Sequence, residues 1–196
     1  MSNLTIFTRQ VRSRSIEHQR AMALLADAGL PGQMMSVLRQ ELDSMIRVIY
    51  LLYQDTARRE DLIEASIRGD VWSREGGRAR VTDKEMVDLS QKLQGWTQSV
   101  YKFGCAFIHL SNMHDYSDRD PLWQLPDDER KAILEHCRHY HGGPESKAER
   151  FDALVPYLPR VLDKVSSNLE YYLETLEGRH ACGASEVYQF VRADAP

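Results

Sequence analysis

The sequence has few cysteines, few turn-forming residues and no long apolar run, and each shortage removes a class of protein. Its three cysteines (Cys105, Cys137 and Cys182) form no C-x-x-C pair, which argues against a disulfide framework or a zinc finger and fits reduced thiols. Eleven glycines and seven prolines in 196 residues are too few for low-complexity disorder or a turn-rich all-β fold. No stretch approaches the roughly 20 unbroken apolar residues of a membrane span, so no membrane partner is expected. The opening residues, MSNLTIFTRQVRSRS, lack the apolar centre of a secretory signal, and a cytoplasmic location is the expectation. Excess basic charge is also missing. The net charge is −4, and residues 115–196 hold 10 basic against 16 acidic groups. That balance excludes a generally basic nucleic-acid binder and leaves room only for a local basic patch.

What the chain does have is helical periodicity. Met35, Leu38, Leu42, Met45, Ile49 and Leu52 recur at steps of three and four within residues 32–56, the pattern of an amphipathic helix. Thr82-Asp83-Lys84-Glu85 is a capping box. Behind it Met86, Leu89, Leu93, Trp96, Val100, Phe103, Phe107 and Leu110 form an eight-position seam, predicting one helix over 83–113. Asp127 is placed to cap a shorter helix through Tyr140, and a last helix spans 156–177. A weaker helix fills 5–28. The expected fold is therefore all-α, a helical bundle built on two long antiparallel helices, 33–56 and 83–113. It forms one domain over 1–196, with an N-terminal helix and turn (1–32), a bundle core (33–178) and a tail (179–196). In that tail Val187, Tyr188, Phe190 and Val191 are able to dock.

Chemistry concentrates in YKFGCAFIHLSNMHDY, residues 101–116. Lys102 and His109 are seven apart, so on a continuous helix two turns bring them to nearly one angular position, away from the apolar seam. Asn112 borders the same face. A cation beside an imidazole can stabilise a phosphate and move a proton without a metal; a plain solvated stripe has the same spacing. Cys105, Ala106 and Met113 give this helix a second face of small or apolar groups, which suits a homodimer through the 83–113 helix.

The K-x6-H element and the two-long-helix plan resemble the HEPN superfamily, small all-α bundles whose ribonuclease members carry R-x4-6-H. The stretches SMIRVIYLLYQDTARREDLIEASIRGDVWS (44–73) and KFGCAFIHLS (102–111) also resemble HEPN-like proteins of bacteria. The resemblance covers about residues 33–178. It implies a site formed where two protomers join their motif helices, with Lys102 and His109 at the catalytic positions. The chain departs from the pattern where Lys102 replaces Arg, which keeps the charge but loses the bidentate fork, and where Phe103 replaces a polar residue.

Other residues offer further sites. Arg47 is the odd charge inside MIRVIYLLY; it can snorkel, pair with Glu41 or Asp43, or supply the guanidinium absent at 102. Arg78 and Arg80 belong to the Gly-rich connection RGDVWSREGGRARV (68–81), an exposed loop or a phosphate contact. His136, Cys137, His139 and His141 in HCRHYH carry metal-ligating atoms, with His180 and Cys182 as distant candidates. No second ligand pair stands at a standard spacing, and a helix C-terminus accounts for histidines without metal. No metal or cofactor is therefore expected. His114-Asp115 matches the dipeptide of HD phosphohydrolases poorly. Two function classes fit these residues. One is a non-catalytic HEPN-like module that binds RNA, a nucleotide or a protein partner, which the Lys102 substitution favours. The other is a metal-independent ribonuclease of stress response or phage defence that uses Lys102 and His109.

Overall fold

Local signals in the sequence set several of the helix boundaries. The computed structural model describes residues 1–179 apart from Arg78, Ser117 and Ser146. In chain order it has α1 (Asn3–Asp27), α2 (Pro31–Leu52), α3 (Thr56–Arg68), α4 (Asp83–Gln94), α5 (Thr97–Ile108), α6 (Asp127–His141), α7 (Phe151–Leu154) and α8 (Leu158–Leu176), with 3-10 turns at Asn112–His114, Pro121–Gln124 and Val155–Tyr157. Asp55 caps α3 by accepting from the Arg58 amide, and Gly69 closes it at φ +77°, a left-handed position that favours glycine. The Thr82–Glu85 capping box forms at α4. Among the described residues no strand occurs, and Ser73 and Arg80 make an isolated antiparallel bridge. The all-α class follows. No described helix is long and apolar enough to cross a membrane.

Two compact units make up the chain: Met1–Ser15, Asp43–Gly95 and the chain from Ser167 in the first, Ile16–Leu42 and Trp96–Ser166 in the second. The boundary falls inside α1, α2 and α8, so no linker in the sequence marks it. Met45, Ile49, Leu62, Trp72, Met86, Leu169 and Leu173 are buried in the first unit. Met22, Leu38, Phe103, Phe107, Leu122, Phe151 and Leu162 are buried in the second, where Phe103 packs edge-on to Phe107 at 5.2 Å and to Phe151 at 6.0 Å.

The expected helix over 83–113 is two helices. Gly95 stops α4 at φ +71°, its amide donating to the Gln91 carbonyl. The Gln91 side-chain amide in turn donates to the Gly95 carbonyl at 2.7 Å. A glycine C-cap outweighs an unbroken heptad pattern because it satisfies the terminal carbonyls that the pattern leaves open. The seam also overshoots. Helix α5 ends at Ile108, where the Ser111 hydroxyl donates to the Ala106 carbonyl at 2.7 Å, and Leu110 is 96% exposed. At α6 the N-cap position belongs to Pro126, and Asp127 pairs with Arg130 at 2.9 Å instead of capping.

The second face of 83–113 is partly occupied by the chain itself. The Arg39 Nε–H donates to Cys105 Sγ at 3.3 Å, and its guanidinium lies 3.3 Å from the centre of the Tyr101 ring. Met113 is buried. Gly104 is small for an internal reason, because a Cβ there would stand 2.9 Å from the Arg39 Cβ. The expected tail contacts of Val187, Tyr188, Phe190 and Val191 lie outside the described residues.

Candidate functional site

In the first unit a cleft of about 600 Å³ is lined by α1, α2, the C-terminal end of α3 and the connection leading to α4. That volume falls within the ordinary range of small-ligand sites. Its floor includes Trp72, which is 5% exposed and well anchored. The indole N–H donates to Ser66 Oγ at 2.8 Å, and the ring stacks on Tyr50 at 5.8 Å. Burial raises the Tyr50 phenol above its usual pKa, so it is neutral around pH 7. Val11, Val71 and Val81 extend the apolar wall.

Three arginines line this cleft: Arg14 from α1, Arg47 from α2 and Arg80 from the connection. Arg47 is partly engaged. Its Nε is 2.9 Å from Asp43, one of the two partners expected for it, and its Nη2 is 3.4 Å from Asp83. Glu41, the other, is committed elsewhere. The Arg47 guanidinium carbon also stands 5.5 Å from the Trp72 ring centre. Arg14 and Arg80 are exposed, with no ion pair and no side-chain hydrogen bond among the described residues. By contrast, Arg12 is held by Glu170 and Glu177 (both 2.7 Å), Arg68 by Glu64 and Asp70, and Arg74 by Glu85. Unneutralised guanidinium therefore marks the cleft, whereas several neighbouring arginines carry their own counter-charges. The first turn of α4, which contributes Asp83, offers no free anion site, because Thr82 and Glu85 already take part in its capping box.

The sequence placed Arg47 and Arg80 among the binding residues, and both line this cleft. Arg78 lies outside the described residues. Arg14 and Trp72 were not singled out; the RSR tripeptide at 12–14 was the available hint, but which of its arginines is unpaired depends on Glu170 and Glu177 far along the chain.

Lys102 lies within α5, and His109 is the residue that caps its C-terminus, its amide donating to the Cys105 carbonyl. Lys102 pairs with Glu129 of α6. His109 follows the last residue of α5 with extended backbone, φ −100° and ψ 147°. Asn112 is engaged by Gln124 through its side-chain amide, and Gln124 donates back to the Asn112 carbonyl at 3.2 Å. A phosphate on Lys102 would have to displace Glu129.

The histidine-rich end of α6 has a different chemistry from the expected one. Burial lowers the pKa of His136 and of His141, with neighbouring cationic groups adding to it. This outweighs the preference of a helix C-terminus for charged imidazole. Burial pushes the Cys137 thiol up to about 11, so it is protonated at neutral pH. Among the described residues no three His, Cys, Asp or Glu side chains are placed to hold a metal. His180 and Cys182 lie outside the described residues.

One buried polar cluster escaped the sequence altogether. In the second unit His18 Nδ1 is 2.6 Å from Glu41 Oε2, and the Ser166 hydroxyl donates to Glu41 Oε1 at 2.8 Å. The carboxylate sits between the imidazole and the hydroxyl, the reverse of the order a serine nucleophile needs. Its role is to hold three helices, α1, α2 and α8, at one buried point.

Comparison of the chain with family models, with curated proteins and with solved structures finds no match.

Proposed function

We propose that this protein is a non-catalytic, HEPN-like helical module that binds RNA or a nucleotide through the arginine cleft. The observation that carries this is the pair Arg14 and Arg80, exposed and unneutralised beside Arg47 on a cleft floored by Trp72. Guanidinium forks suit phosphate oxygens, and an apolar wall suits the body of a nucleoside. Support for binding over catalysis comes from Lys102 being paired to Glu129 while His109 lies beyond the end of α5.

The test is retention of labelled RNA and of AMP by the wild-type protein and by Arg14→Ala/Arg80→Ala over a salt series. Binding is expected to fall with salt and to be lost in the double variant. About two phosphate contacts predict a slope near −1.4 against log salt on a single strand. RNA incubated with protein and EDTA should stay intact. Cleavage that disappears in His109→Ala would restore the ribonuclease and reject this proposal.

A further inference from the structure

Resting on the cleft proposed above, the charges lining it narrow the ligand further. Five ionised side chains line it: Arg14, Arg47, Arg80, Asp70 and Asp83. Asp70 is held by Arg68 at 2.8 Å, and Asp83 by Arg47 at 3.4 Å. Arg47 is shared between Asp43 and Asp83, and Arg68 between Glu64 and Asp70, whereas Arg14 and Arg80 have no ion pair among the described residues. An internal phosphodiester supplies one negative charge. A phosphomonoester supplies about −1.5 to −2 at pH 7, because its second ionisation lies near pH 6. Arg12, Arg68 and Arg74 are paired with carboxylates of their own, which leaves Arg14 and Arg80 as the unpaired cations that line the cleft.

We infer that the cleft recognises a phosphomonoester, its dianion shared by Arg14 and Arg80 and the attached nucleoside lying against Val11, Val71 and Trp72. A free mononucleotide and the phosphorylated end of an RNA strand present this same chemistry. Arg47, shared between Asp43 and Asp83, lessens the repulsion of the phosphate by Asp83. The ligand's own ionisation then makes binding pH-dependent. No histidine lines the cleft among the described residues.

Four probes separate the outcomes: AMP, adenosine, and a 12-nucleotide RNA with either a 5′-phosphate or a 5′-hydroxyl, each titrated at pH 7.5 and pH 5. AMP is expected to bind at least tenfold more tightly than adenosine, and to weaken several-fold at pH 5. Arg14→Ala and Arg80→Ala should each cost AMP about tenfold, the scale of one charge-assisted contact, and Arg80→Lys should lose less. If the 5′-phosphorylated RNA also binds tightly and the 5′-hydroxyl RNA does not, strand ends are a source of the ligand. If AMP alone binds tightly, the source is the free nucleotide. Equal binding of the two RNAs, lost in Arg14→Ala/Arg80→Ala, would overturn the phosphomonoester inference while leaving the cleft as an RNA site. Absence of binding by all four probes, or binding indifferent to both arginines, would reject the cleft and this inference with it.

Discussion

His18 Nδ1 stands 2.6 Å from Glu41 Oε2, and the Glu41 side chain is fully buried. A carboxylate removed from water needs every partner it has, and here Ser166 supplies the second at 2.8 Å. Glu41→Ala should therefore destabilise the protein by about 3–5 kcal/mol, since it leaves an imidazole and a hydroxyl buried without their acceptor. Urea unfolding measures this, and a double-mutant cycle of His18→Ala with Glu41→Ala should return a coupling above about 1 kcal/mol.

The aromatic part of the 83–113 seam is core and its end is not. Phe103→Ala and Phe107→Ala, at sites under 5% exposed, should each cost about 3–5 kcal/mol. Leu110→Ala, at a site 96% exposed, should cost under about 0.5 kcal/mol. Thermal or urea unfolding of the three variants side by side checks the contrast.

Gly95 is the residue that divides the seam into α4 and α5. Its φ of +71° with no atom near an added Cβ makes the cost of substitution conformational. Gly95→Ala should lose about 1–2 kcal/mol, the strain of an L-residue in left-handed backbone. A neutral or stabilising result in urea would mean that residues 83–113 prefer one continuous helix.

Glu85 gives the fold an acid-sensitive point. Hydrogen bonds from Arg74, then from the Thr82 amide and hydroxyl, hold its carboxyl at about 2, below the ordinary 4.5. A depressed folded-state value means that this stabilisation is present above pH 4.5 and is lost as the pH falls from there toward 2. The group is exposed to solvent, which limits the effect to about 1 kcal/mol or less. Stability of wild type minus Glu85→Gln, measured from pH 6 to pH 2.5, should shrink toward zero at the acid end.

Sequence reached the parts of this protein that are set locally. The Thr82–Glu85 capping box, the amphipathic α2 and the all-α class are encoded within a few turns of chain, and each stands in the structure. The 3-4 spacing on either side of Gly95 hides the stop that this glycine makes. The spacing also carried the seam past its end: α5 stops at Ile108, where the Ser111 hydroxyl takes the Ala106 carbonyl, and the Lys102 ammonium turns to Glu129, a partner on another helix. The cleft was half legible. Arg47 stood out because it interrupts an apolar run, and Arg80 because it sits in a basic loop. Arg14 looked like its neighbour Arg12 until Glu170 and Glu177, more than 150 residues away, neutralised one and not the other. The His18–Glu41–Ser166 cluster joins three helices across separations of 23 and 125 residues, and no local pattern carries it.

Trp72 gives the most direct test of the cleft, because Trp96 and Trp123 belong to the second unit. With those two replaced by Phe, the fluorescence of Trp72 can be followed as AMP is added at pH 7.5. The expected result is a saturable change in Trp72 emission that Arg14→Ala/Arg80→Ala abolishes. Saturable AMP binding by calorimetry with no change at Trp72, or an unchanged titration in the double variant, would place the ligand elsewhere and contradict the cleft as the binding site.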